Sequence, residues 1–189
     1  REILSGADLE WLTLKNFPEC PQAAESASTY LENAQEKSRL TAAHCGLWSL
    51  ADDSGLEVEA LGWKPGVRSA RYAGADATDT ENNARLLREL SGIDNASRRA
   101  VFRCVLVLSH PDGREFVSRG ELWGRIAFDR KGDRGFGYDP IFIPEGKSLS
   151  LAQMDPAEKN RISHRTRALE IMRSFLSKMI DIKESQGSE

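Results

Sequence analysis

Asp52 and Asp53, adjacent in the run Ala51-Asp52-Asp53-Ser54-Gly55, carry the clearest chemical signal in this chain. The apolar-leaning Leu47–Ala51 predicts a buried strand that delivers both carboxylates to its carboxyl end, where a hydroxyl residue and a glycine turn the chain. In open α/β sheets ligands gather at such strand ends. Carboxylates placed there hold Mg²⁺ through one or two oxygens and leave the rest of its shell to water and phosphate. The same residues are also good turn formers, so the run by itself supports a ligand site and a plain turn equally. Neighbouring strand residues point to opposite faces, so one carboxylate faces a ligand and the other caps a helix or orients its partner.

Three further clusters could do chemistry, and each has a structural alternative. In Gly135-Phe136-Gly137-Tyr138-Asp139-Pro140, glycines around aromatics let the backbone approach a flat ligand that Phe136 or Tyr138 could stack against. Asp139, held extended by Pro140, is expected to present its carboxylate rather than fold it back. The alternative is a tight glycine turn with aromatic plugs. Lys159 precedes Ser163-His164-Arg165, where Ser163 suits a helix N-cap and would place His164 and Arg165 in the first turn. Cations there oppose the helix dipole, which an anionic or hydrogen-bonding ligand would explain, whereas the alternative is a solvated charged face. Glu25 and Glu32 lie just before and on the first helix. Glu32 is accounted for by a capping box, and Glu25 is a candidate metal-facing carboxylate.

The elements that must position these residues are legible in outline. Thr29 and Glu32 are spaced to open a helix running to about His44, with Gly46 as its stop. After the Asp-Asp-Ser-Gly turn, Leu56–Ala60 alternates as a strand, and residues 63–74 read as a loop. Thr78 and Glu81 start a second helix that carries Ala84, Leu86, Leu87 and Leu90 and closes near Gly92. Ala100–Leu108 is the best strand, turned by Pro111-Asp112-Gly113 into a hairpin partner at Glu115–Ser118, with strand again at Glu121–Phe128. A polar loop from Asp129 to Gly137 precedes a short strand, Ile141–Ile143. Ala168, Ile171, Met172, Phe175, Leu176 and Met179 form one apolar stripe on a final helix, as core or dimer seam. The expected fold class is α/β, with a long mixed β-sheet and helices.

Composition narrows the function classes. The 189 residues suit one domain or two lobes sharing a sheet, and the net charge of −3 argues against wholesale binding of nucleic acid or membrane. No apolar run approaches the ~20 residues of a bilayer span, and no signal peptide is visible. Cys20, Cys45 and Cys104 match neither a disulfide framework nor a zinc pattern, which favours a cytoplasmic setting.

Taken together, six segments resemble the inosine triphosphate pyrophosphatase family, which hydrolyses non-standard purine nucleoside triphosphates. They are Leu31-Glu32-Asn33-Ala34 with Lys37; Ala51 to Leu56; Pro65-Gly66 with Ser69-Ala70-Arg71-Tyr72-Ala73-Gly74; Phe102-Arg103-Cys104; Gly135 to Pro140; and Glu158-Lys159-Asn160 with Ile162-Ser163-His164-Arg165. They follow the family's order over nearly the whole chain. The resemblance implies a long curved sheet, two lobes with a cleft between them, a homodimer, and Mg²⁺-dependent release of pyrophosphate. It implies Asp53 as proton acceptor and metal neighbour. It gives Ser54, Phe136, Gly137, Tyr138, Asp139, Lys159, His164 and Arg165 to the substrate.

Two departures are visible. Family members open with a strand and a Thr/Ser-Gly-Asn-x-x-Lys phosphate loop, whereas Arg1-Glu2-Ile3 resembles the helix that follows it. Residues 1–182 are therefore expected to form one pyrophosphatase domain lacking that strand and loop, by truncation, disorder or degeneration, with 183–189 a flexible tail. The family's paired glutamates are replaced by Ala24-Glu25-Ser26-Ala27, and Arg68 stands where an aromatic is common. Two rival readings stay open: a related hydrolase with another base preference, and a non-catalytic dimer or interaction protein of the same fold.

Overall fold

Thr29 opens the first helix, α1 (Tyr30–Cys45), through a reciprocal cap in which its hydroxyl accepts from Glu32 N–H and Glu32 Oε2 accepts from Thr29 N–H. Gly46 ends it at φ 69°, a left-handed conformation that suits glycine. These features come from a computed structural model that describes residues 9–186, with side chains through residue 179. The reading of Arg1-Glu2-Ile3 lies outside the described residues.

β1 (Ser49–Val58) contains the whole Asp-Asp-Ser-Gly run, which corrects the expected sharp turn. The physical reason is burial beyond the turn formers. Leu56 and Val58 are fully buried, and Leu56 N–H donates to Ser69 Oγ at 2.8 Å, so the chain gains by staying extended. The carboxylates thus stand mid-strand.

The other strands and α-helices are β2 (Lys64–Pro65), α2 (Asp79–Glu89), β3 (Arg99–Ser109), β4 (Glu115–Ile126), β5 (Phe142–Pro144), α3 (Pro156–Ile162) and α4 (His164–Gln186). The strands form one sheet in the order β2-β1-β3-β4-β5, antiparallel where β1 meets β2 and β4 meets β5. This is the expected α/β class. The hairpin between β3 and β4 closes at its predicted turn, with His110 N–H donating to Arg114 O at 2.9 Å. α4 runs to Gln186, so residues 183–186 are helical, and the remainder of the expected tail lies outside the described residues.

The chain divides into two compact units. The first comprises the chain up to Asp53, Cys104–Gly120 and the chain from Arg165 onward. Its core joins Cys104, Leu106 and Leu108 of β3 to Ala168, Met172 and Leu176 of α4, which are four apart and so share one helix face. Phe175 stacks on Phe116 at 3.5 Å, whereas Ile171 of the expected stripe is 49% exposed. α1 is fixed by polar contacts: Ser38 Oγ meets Ser109 Oγ at 2.7 Å, and Arg39 Nε and Gln35 Nε2 both donate to Glu115.

The second unit comprises Ser54–Arg103 and Glu121–His164. Leu56, Val58, Leu86, Leu90, Phe102, Ile126 and Phe142 lie in its core. Arg98, 2% exposed, is the polar centre of this unit. Its guanidinium donates to the carbonyls of Ile126 (3.0 Å), Leu90 (2.9 Å) and Ala127 (2.9 Å), closing the end of α2 onto the end of β4. Replacing it takes a donor from each of these carbonyls, of which Leu90 O keeps Ile93 N–H at 3.1 Å, at about 1–3 kcal/mol for each buried group left unpaired. Arg98→Met is expected to lower unfolding stability by at least about 3 kcal/mol in urea titrations, and a loss under about 1 kcal/mol would contradict this role.

Candidate functional site

In the first unit an acidic centre is built on β1 and α1. Asn33 and Lys37 are one helical turn apart and so share a face of α1. Asn33 Nδ2 donates to Asp53 Oδ2 at 3.0 Å, and its own carbonyl oxygen accepts from Ala27 N–H at 3.0 Å, which fixes the amide's orientation. Lys37 Nζ lies 3.5 Å from Asp53 Oδ1 and 3.4 Å from Glu25 Oε1. Two carboxylates thus converge on one positive charge. Glu25 is held at φ 49°, an uncommon conformation for a residue with a side chain, and such outliers concentrate at functional sites.

Removal from water pushes the Asp53 carboxyl above the usual carboxylate range. The Asn33 hydrogen bond and the Lys37 charge oppose that rise, and the negative charge of Glu25 adds to it. Asp52 points the other way, as strand alternation requires, and its Oδ2 accepts from Arg165 Nη2 at 2.9 Å and Nε at 3.3 Å. Arg165 stands in the first turn of α4, as expected, and its cation is balanced by this carboxylate. Glu32 is spent on its cap, with Thr29 and Ser28 holding its carboxyl below the usual range.

In the second unit Gly135 (φ 78°) and Gly137 (φ 59°) frame the loop 135–139. A Cβ on Gly135 would stand 2.0 Å from Asp139 Oδ2, so only glycine fits there. Asp139 is 4% exposed and folds back: its Oδ2 accepts from Phe136 N–H at 2.8 Å and pairs with Lys159 Nζ. This corrects the expectation of a presented carboxylate. Pro140 fixes the chain, but a short helical turn at Asp139–Ile141 aims the side chain inward. Tyr138 is likewise buried, its hydroxyl donating to Ser69 O at 2.9 Å, and burial raises its pKa. It is not available for stacking, whereas Phe136 is 64% exposed.

Lys159 Nζ lies 4.7 Å from the Phe136 ring centroid, giving an exposed aromatic face beside a cation. Gly137 is gripped from α2: its N–H donates to Asp79 Oδ2 at 2.6 Å, and its carbonyl accepts from Asn83 Nδ2 at 2.8 Å. His164 stacks on Phe102 with centroids 5.0 Å apart and planes 9° from parallel, and Phe102 packs in turn on Phe142. Ser54, the first residue of this unit, is half-buried in β1.

The structure therefore gathers Glu25 and Asp53 around Lys37, joins Asp52 to Arg165, and gathers Phe136, Asp139 and Lys159. The roles of Asn33, Lys37, Asp79 and Asn83 were not read from the sequence. Their signal is a polar pair four residues apart, on helix faces that also carry buried residues.

The Ham1 family model matches residues 1–175, and this chain belongs to that family. A dITP/XTP pyrophosphatase of Geobacter sulfurreducens is 44% identical over 174 residues, spanning 92% of this chain and 87% of that one. A protein of the same name from Lactiplantibacillus plantarum is 47% identical over 92% of this chain and 86% of its own. The solved HAM1 protein from Coxiella burnetii matches with TM-score 0.88 at 40% identity, covering 94% of this chain and 90% of that one. These similarities bear out the resemblance read from the six segments.

Because the folded Asp53 carboxyl holds its proton more tightly than the unfolded chain's, the native state loses stability as pH climbs from the ordinary carboxylate value through the raised one. Asp53→Asn removes that titration. Its stability relative to the wild-type chain is expected to grow between about pH 4 and pH 7 in urea titrations. A difference that is flat or shrinking across this range would contradict the assignment.

Proposed function

We propose that the chain hydrolyses non-canonical purine nucleoside triphosphates, dITP, ITP or XTP, to the monophosphate and pyrophosphate. The observation that carries this reading is the half-desolvated Asp53 carboxylate, oriented by Asn33 and shared with Glu25 across Lys37. The names borne by the curated relatives support the choice of substrate.

Asp53 is the proton acceptor. A water oxygen bonds to the α-phosphorus, the α–β bridging P–O bond breaks, pyrophosphate leaves, and the water proton passes to the carboxylate. Its raised pKa improves it as a base. Asn33 donates to the ionised form and so limits that rise.

Mg²⁺ is the cofactor that suits this donor set. Asp53 and Glu25 supply hard carboxylate oxygens on either side of the Lys37 ammonium, and Mg²⁺ binds through one or two carboxylates plus substrate phosphates. When bound, it neutralises charge on the phosphates. Lys37 holds the two carboxylates together and matches part of their charge.

Phe136 supplies the stacking face for the base, and Ser54 and Gly137 contact the substrate. Lys159, with N–H groups beyond the one Asp139 takes, donates to the 6-oxo group together with His164. Asp139 and Tyr138 act as supports, one aiming Lys159 and the other anchoring the loop. A 6-amino base leaves those donors unpaired, at about 1–3 kcal/mol each. The working form in this reading is a cytoplasmic homodimer.

Asp53→Asn is expected to keep the fold and lower kcat for pyrophosphate release from dITP by about 10²–10⁴-fold. Near-wild-type turnover would refute the base assignment. A chelator is expected to abolish release, with Mg²⁺ restoring it.

Lys159 requires a paired change, since removing it alone strands a buried carboxylate at about 3–5 kcal/mol. Lys159→Gln with Asp139→Asn is expected to shrink the preference for dITP over dATP by roughly tenfold or more, read from kcat/KM. An unchanged preference would remove Lys159 from base recognition.

A further inference from the structure

The region around the end of α1 holds two cysteines that the acidic centre and the aromatic loop do not use. Cys20 Sγ lies 3.9 Å from Thr41 Oγ1 and 3.7 Å from its acceptor, Pro21 O. Thr41 precedes Cys45 by one helical turn, so the two project from the same face of α1, and that face meets Cys20. Removal from water raises the pKa of the Cys45 thiol, and the neighbouring Cys20 adds to that rise. Both are half-buried, whereas Cys104 is 1% exposed in the core. Thr41 and Cys45 also line an apolar cavity of about 460 Å³ together with Trp11, Leu12 and Phe17, which gives a small molecule room beside Cys45.

We propose that Cys20 and Cys45 form a dithiol modification site that an oxidant of the peroxide class converts to an intrachain disulfide. Cys45 is the last residue of α1, where the negative end of the helix dipole opposes a thiolate, so Cys20 is oxidised first. The Cys20 thiolate attacks a peroxide oxygen: an S–O bond forms, the O–O bond breaks, and the departing hydroxide takes a proton to become water. The Cys45 thiolate then attacks the Cys20 sulfur: the S–S bond forms, the S–O bond breaks, and a second water leaves. Two thiols are oxidised and one peroxide is reduced. The product tethers the segment carrying Trp11 to Phe17, which has only a short 3-10 turn at Leu14–Asn16, to the end of α1.

The test treats the full chain with hydrogen peroxide, blocks free thiols with iodoacetamide, and maps peptides without reductant. The expected result is a linked Cys20–Cys45 peptide about 2 Da lighter than its two reduced halves. Cys104 should remain alkylatable once the chain is unfolded. The melting temperature should rise by several degrees, and dithiothreitol should reverse that rise. Cys20→Ser and Cys45→Ser should each lose both the linked peptide and the shift. Four results would overturn the proposal: thiols that stay free, Cys20 found as sulfinic acid with Cys45 reduced, a bridge to Cys104, or a bridge between two chains.

Discussion

A carboxylate kept partly out of water is the condition on which the rest of this site depends. Asp53 sits in the middle of a strand, and its charge is tolerable there because one amide donates to it and one ammonium lies close by. The two donors are delivered by a single helix turn. The cap at Thr29, the left-handed stop at Gly46 and the anchorage of that helix on the β3–β4 hairpin all bear on how Asp53 ionises. Desolvation raises the basicity of the group and the donors limit the rise, so the balance between them sets what proton chemistry the site can perform.

The second unit solves a different problem, the display of an aromatic face beside a cation. Asp139 is buried so that Lys159 is aimed, and Gly135 is required because any side chain would collide with that carboxylate. Tyr138 is buried so that the loop is anchored. One ring, Phe136, is left open to solvent next to the ammonium. Polar burial in this loop therefore serves the geometry of its exposed members.

Much of this was legible in the chain. Capping pairs at Thr29/Glu32 and Thr78/Glu81 located two helices, and the β3–β4 hairpin followed from its turn residues. The ordered segments from Leu31 to Arg165 pointed to the family to which the chain belongs. The misreadings share one cause, since local rules were applied where tertiary burial decides. Asp-Asp-Ser-Gly has turn chemistry, yet the burial of Leu56 and Val58 keeps it extended. Asp139 before proline was expected to project outward, yet Lys159 and the Phe136 amide draw it in. Ile171 fits the helical stripe but lies outside the narrower face that Ala168, Met172 and Leu176 define. The contacts of Lys37 and Asn83 are set only when the elements meet.

In the proposed reaction the hydrogen-bonded environment of Asp53 sets the ionisation on which pyrophosphate release depends. The acid limb of kcat/KM reports that group in the free enzyme. Removing the Asn33 donor takes away an interaction that favours the ionised form, so in Asn33→Ala the acid limb for dITP should move to higher pH than in the wild-type chain. An acid limb that stays in place in the folded variant would contradict the account.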